Sequence, residues 1–230
     1  MILSGAMTDF SVGKSVIKPK ELAENASELG YKALAVADDY SINGLPDLAS
    51  ACDRFGVKLV IGATVRVVDS LEDDLKGPFF EPKVFVRNKQ GFSDLTELLT
   101  LANDPETALK QRSMVVPRVT LGQLIDCAIK GNVVIGTGSV FSLFAHKHWE
   151  SILTELYSAL PGASLALELL PVGTLYYQRV TANALRVLSG QTGPPQERPR
   201  LHCLSHQGGQ HLRQKAGHHA QTHGRQKSGR

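Results

Sequence analysis

Apolar positions recur with two different periods along residues 1–188. Leu22, Ala23, Ala26 and Leu29 fall on one face of a helix that opens at Lys18-Pro19 and stops at Gly30. KALAVA (Lys32–Ala37) is a short apolar run of buried-strand length. Leu45, Leu48, Cys52 and Phe55 then return to helical spacing before Gly56, and the β-branched run VKLVIGATVRVV (Val57–Val68) reads as strand. Further strands are predicted over Lys83–Arg87, Asn132–Ile135 and Ser164–Leu170. Helices are predicted over Ser93–Ala102, Thr120–Lys130 with Thr120 as N-cap, Trp149–Leu160, and from Val172 to Leu188. Residues 69–82 and 103–118 read as polar, proline-containing connections, and no internal repeat is present. Alternation of this kind, with apolar strands, predicts an α/β fold built on a parallel sheet or barrel.

Charge divides the chain at Leu188. The whole carries +3, but residues 189–230 hold seven Lys and Arg, one acid (Glu197) and six of the eight histidines. Residues 1–188 are therefore net acidic, while the basic tail is too poor in apolar side chains to offset the entropy of ordering it. Disorder is expected for 189–230. The abrupt change to Gln, His, Arg and Gly inside a helical pattern reads first as out-of-frame translation. A nucleic-acid-binding arm is the alternative.

Three cysteines (Cys52, Cys127, Cys203) without a CxxC exclude a disulfide framework and suit a reducing cytoplasm. The segment MILSGAMTDF has neither the basic nor the apolar region of a secretion signal, and no stretch is long and apolar enough for a membrane span.

Most motif-like segments fail on spacing. Gly13-Lys14-Ser15 has Thr8 where a phosphate-binding loop needs glycine, and Gly136-Thr137-Gly138 lacks the third glycine of a dinucleotide fingerprint, with Phe141 in its place. His146 and His148 read as solvated loop or cap residues, and no GxSxG supports a serine nucleophile. Asp38-Asp39 remains. Two carboxylates at the end of an apolar strand can hold a divalent cation. The competing reading is a turn and helix cap formed with Ser41.

The order of the pieces resembles a known family. TDFS, KPKELAENASELGYKALAVADD, INGLPDLASAC and FGVKLVIGATV follow one another as in the N-terminal PHP (polymerase and histidinol phosphatase) domain of the bacterial DNA polymerase III α subunit. The likeness continues through VFVRNKQGFSDLTELLTLA, PRVTLGQLIDCAIKGNVVIGTGS and LALELLPVGTLYYQRVTANALRVL. It implies a distorted (β/α)7 barrel over residues 1–188, incomplete at its C-terminus and followed by the disordered basic tail. In such barrels the C-terminal strand ends hold up to three metal ions that activate water against phosphate esters.

This chain departs from the family at the ligand positions. Gly5 and Met7 stand where the family has two histidines, Lys14 where it has an aspartate, and Asp38-Asp39 where it has Asp-His. Thr64 replaces a glutamate, Glu81-Pro82 falls where a histidine is expected, and Gly138 where a cysteine is. The vestigial metal set is thus Asp39, Asp38 and Glu81, with no catalytic residue assigned. Lys14 is expected to fill the place of a lost cation by pairing with Asp38 or Asp39.

The resemblance therefore implies a cytoplasmic scaffold fragment of a replicative polymerase, with no cofactor. Its partners would be other polymerase III domains or subunits, including a proofreading subunit, with DNA bound through the parent protein and no membrane. Two alternatives stay open. One is a phosphoesterase or 3′–5′ exonuclease using Mn, Zn or Mg at a site rebuilt around Asp38, Asp39 and Glu81. The other is a nucleic-acid-binding module acting through the tail.

Overall fold

The computed structural model describes residues 1–111, 114–169, 174–190 and 204–205. The first half runs β1 (Ile2–Ala6), α1 (Pro19–Glu28), β2 (Ala33–Asp39), α2 (Leu45–Phe55), β3 (Lys58–Thr64), β4 (Val67–Val68), β5 (Phe79–Phe80) and β6 (Lys83–Val86). It continues with α3 (Lys89–Asn103), β7 (Leu109–Gln111), β8 (Met114–Val116), β9 (Val119–Thr120), α4 (Leu121–Ala128) and β10 (Val133–Gly136). A 3-10 turn (Leu143–Ala145), α5 (Trp149–Ala159), β11 (Leu165–Ala166), β12 (Glu168–Leu169), α6 (Leu175–Leu188) and β13 (Leu204–Ser205) complete it.

Local chemistry sets the helix ends. Pro19 occupies the first turn of α1, where its missing N–H is not needed. Gly56 ends α2 in the left-handed conformation at φ +67°, which costs glycine nothing. Thr120 and Gln123 form a reciprocal capping box at α4, as the predicted Thr120 cap requires.

Six strands form a curled half-barrel in the order β1-β2-β3-β6-β10-β11. The expectation of a parallel sheet needs one correction: β6 runs antiparallel to both β3 and β10. The cause lies in residues 69–82, which are more than a polar connection. There β5 joins β4 and β9 in a separate three-stranded sheet, and the chain enters β6 from the C-terminal end of β3. Residues 103–118 likewise contain the β7–β8 hairpin. β1 had no periodic signal, because ILSGA interrupts its apolar residues with Ser4 and with Gly5, held at φ +68° where the register shifts. The predicted strand Ser164–Leu170 divides into β11 and β12, and the last helix starts at Leu175. Val172 and all but a few residues of the basic tail lie outside the described residues. Leu204 and Ser205 pair in parallel with Glu168 and Leu169.

Two apolar cores cover the convex face. Leu22, Ala23 and Ala26 of α1 and Leu48 and Cys52 of α2 pack on Leu3, Leu34 and Val36. Leu95, Leu98, Leu124, Leu153 and Leu156 pack on Val84, Val133 and Ile135. Burying each such leucine contributes roughly 1.5–3 kcal/mol. The concave face is lined by Ala35, Ala37 and Phe85. The Phe85 ring lies over Gly62, where an added Cβ would come within 2.6 Å of it.

Candidate functional site

One row of residues crosses the sheet at its mouth. Asp39 pairs with Thr64, Thr64 with Lys83, Lys83 with Gly136, and Gly136 with Ala166. Because β6 is reversed, its first residue and the Glu81 before it stand beside the last residues of β2, β3 and β10. Glu168, two residues beyond Ala166, returns to the same mouth.

Asp38 does not face an open site. It is 3% exposed and saturated: Oδ1 accepts the Thr8 N–H and the Ser11 hydroxyl, and Oδ2 accepts the Thr8 hydroxyl, each at 2.7 Å. The Ser11 Oγ in turn accepts the Asp39 N–H at 3.0 Å. Asp38 therefore fastens the β1–α1 loop across the mouth. Neither aspartate caps α2, whose N-cap is Gly44, so the turn-and-cap reading fails.

The fastened loop delivers Lys14. Its ammonium lies 2.8 Å from Asp39 Oδ2 and 3.0 Å from Glu81 Oε2. The sequence-derived pairing with Asp39 is thus present, and Glu81 joins it from another strand. Glu81 is buried and held on its other oxygen by the Tyr40 hydroxyl at 2.5 Å and the Arg66 guanidinium at 3.5 Å. Arg66 also stacks 3.7 Å above the Phe79 ring. Tyr40 reaches Glu81 from a positive φ of 54°, a conformation unfavourable to a non-glycine residue and maintained here by its contacts.

The charges are unevenly shared. Burial alone would lower the Lys14 pKa, but hydrogen bonding to Asp39 and attraction by Glu81 and Asp39 outweigh it and the net shift is upward. Burial is the largest influence on Asp39 and raises its pKa; the Lys14 hydrogen bond and charge pull it down, and repulsion by Glu81 and Asp38 helps burial leave the net shift upward. The two shifts differ in origin: two anions raise Lys14 against its burial, whereas burial itself is the main cause at Asp39. Burial, with Glu81 next in effect, also drives the Tyr40 phenol far upward, so it remains a donor.

Farther round the mouth, Lys83 is 1% exposed and meets Glu168 Oε2 at 2.6 Å and the Ser139 hydroxyl at 3.3 Å. A Cβ on Gly136 would come within 2.3 Å of Glu168 Oε1, so glycine makes room for that carboxylate. His146 corrects its sequence reading: it is buried, with Nε2 3.3 Å from Asp69 and Nδ1 accepting the His148 N–H. Tyr40, Arg66, Lys83 and Glu168 were not singled out from the sequence. Lys83 and Glu168 had a usable signal, a single charge within an otherwise apolar strand. Arg66 and Tyr40 had none, since only the reversed β6 places them beside Glu81.

With Lys14 and the other protein donors in place, these residues do not fit a divalent cation. Each candidate carboxylate already has a protein donor: Thr8 and Ser11 at Asp38, Lys14 at Asp39, Lys14 and Arg66 at Glu81, Lys83 at Glu168. Among the described residues, no group of three or more His, Cys, Asp or Glu is placed to hold a metal ion. No described helix is long and apolar enough to cross a membrane.

Comparison with known proteins places the chain in a family. DNA polymerase III subunit α of Yersinia pestis is 26% identical over 198 residues, 79% of this chain and 16% of that protein. An error-prone DNA polymerase of Dechloromonas aromatica is 32% identical over 42% of this chain and 8% of its own length. The chain thus spans less than a fifth of these relatives. Two solved structures share the fold. One, from Bifidobacterium adolescentis and provisionally assigned as a metal-dependent phosphoesterase, has a TM-score of 0.52 at 16% identity, covering 80% of this chain and 83% of its own. The other, an amidohydrolase from Chromobacterium violaceum, has a TM-score of 0.53 at 11% identity, covering 93% of this chain and 96% of its own. The model of the PHP domain matches residues 6–168, and the chain belongs to the PHP domain family.

Proposed function

We propose that this chain is the N-terminal PHP domain of a polymerase III α-type protein, and that it serves DNA replication as a cytoplasmic structural domain without bound metal. The observation that carries this reading is the Lys14 ammonium between Asp39 and Glu81. A cation supplied by the chain itself neutralises the mouth, so the fold needs no ion to hold these carboxylates together. In this reading nucleotidyl transfer belongs to other parts of the protein. The partners are the remaining polymerase domains or subunits, a proofreading subunit among them, with DNA reached through the parent protein.

The test is metal content and thermal melting of the purified chain, in EDTA and in excess manganese or zinc. The expected result is no stoichiometric metal and an unchanged melt. Binding of two or more equivalents, with a rise in Tm, would overturn the reading. It would favour a rebuilt phosphoesterase site, for which the approach of Asp39 and Glu81 to one shared cation is the supporting observation. Metal-dependent cleavage of a chromogenic phosphodiester, abolished by Asp39→Ala, would establish that alternative.

A further inference from the structure

We propose that Lys14 is an intramolecular competitor of divalent cations, its ammonium filling a one-cation site made by Asp39 and Glu81. This deepens the metal-free reading and rests on it. The two carboxylate oxygens that Lys14 meets come from different segments, at the end of β2 and just before β6, and they converge on one point 2.8 and 3.0 Å away. Asp39 Oδ1 is buried with no hydrogen-bond partner, so the pair has more acceptor capacity than one ammonium uses. The frame around that point is fixed independently of Lys14. Tyr40 and Arg66 hold Glu81 on its other oxygen, and the Ser11 hydroxyl accepts the Asp39 N–H. The tether is fixed as well, because Asp38 binds Thr8 and Ser11 on the loop that carries Lys14.

An ammonium and a small hard cation seek the same oxygens, but the ammonium is attached. Tethering gives it an effective concentration on the order of millimolar or more. A free divalent ion must displace it and leave its positive charge nearby. Without that side chain, Asp39 Oδ1 and Oδ2 and Glu81 Oε2 offer three oxygens to one ion, with water completing the shell. Oxygen donors of this kind suit manganese or magnesium.

Titration of Mn2+ into the full chain, followed by calorimetry, compares wild type with Lys14→Met, Lys14→Arg and Lys14→Met/Glu81→Gln. Lys14→Met is expected to bind one Mn2+ at least tenfold more tightly than wild type. Lys14→Arg should behave as wild type, and the double variant should lose the gain. Folded Lys14→Met binding no more tightly than wild type, or a gain that survives Glu81→Gln, would overturn the inference. If Lys14→Met does not fold, Lys14→Gln is read by the same criteria. The two readings fail differently. Stoichiometric Mn2+ binding by wild type, as tight as by Lys14→Met and with a rise in Tm, defeats both, whereas equally weak or absent binding in the two proteins defeats only the competition.

Discussion

Lys14 and Lys83 put the same chemistry, an ammonium on a carboxylate, at two places in one mouth. Lys14 stands on a loop, 36% exposed, and bridges two carboxylates. Lys83 stands on a strand, 1% exposed, against the single carboxylate of Glu168 at 4%. Water and salt screen the first pair, so its net worth is small and its partners can adjust. The second pair has little access to water, and each charge depends on the other because neither can be hydrated alone. The rim cation is therefore replaceable, while the interior cation is locked to its partner. Glu168 Oε1, buried and without a hydrogen-bond partner, shows that even the intact interior pair is not fully satisfied.

Lys83→Met tests the interior pair most directly. It should destabilise the chain by about 3–5 kcal/mol, read as a lowered urea midpoint, because Glu168 keeps a buried, uncompensated charge. Adding Glu168→Leu should recover most of that loss. If the double variant is as unstable as the single one, packing rather than charge explains the effect. Asp38→Ala should follow at about 3 kcal/mol, since one buried carboxylate accepts three hydrogen bonds that cannot all be replaced. Its specific mark is faster hydrogen exchange at Thr8 and in the loop behind it, with the helices unaffected. Gly136→Ala should cost about 2 kcal/mol by driving a methyl group into the space held by Glu168. A variant as stable as wild type would show that Glu168 can move and is not locked to Lys83.

Much of this was legible in the sequence, and the remainder has identifiable causes. Helices α1, α2 and α4 were legible because their apolar stripes end at Pro19, Gly56 and Thr120, residues whose backbone chemistry marks a boundary. The apolar run Ala33–Ala37 was legible as a strand, but an apolar run has no direction, so the reversal of β6 could not be read. That reversal decides the site. It carries Glu81 and Lys83 to the mouth and lets Lys14 meet a carboxylate 67 residues away. Asp38 and Asp39 looked equivalent as neighbours in sequence. The pleat separates them: one turns to the loop hydroxyls and the other to the ammonium.

Lys14→Met should be milder than any of these, about 1 kcal/mol or less at pH 7, because the lost pair is partly solvated. Burial has already raised the Asp39 pKa, and losing Lys14 raises it further. The loss should therefore shrink as pH falls and Asp39 is protonated. A loss as large as that of Lys83→Met would erase the distinction between rim and interior.

His146 supplies the smallest effect and extends the same contrast to a group that titrates near neutrality. Burial lowers its pKa, against the pull of Asp69 and with the help of His148 and Lys147. The geometry agrees, because Nδ1 already accepts the His148 N–H and cannot also carry a proton. A histidine whose folded pKa lies below 6.5 binds fewer protons folded than unfolded. Its contribution is complete above 6.5 and is lost as pH falls through that value toward the folded pKa. Stability should thus decline between pH 7 and pH 5, by at most about 1.4 kcal/mol per pH unit from this group. His146→Asn should flatten that slope even if it lowers the plateau. An undiminished slope would place the acid sensitivity outside His146, and outside Asp39 too, whose raised pKa has the opposite sign and stabilises the fold as pH falls.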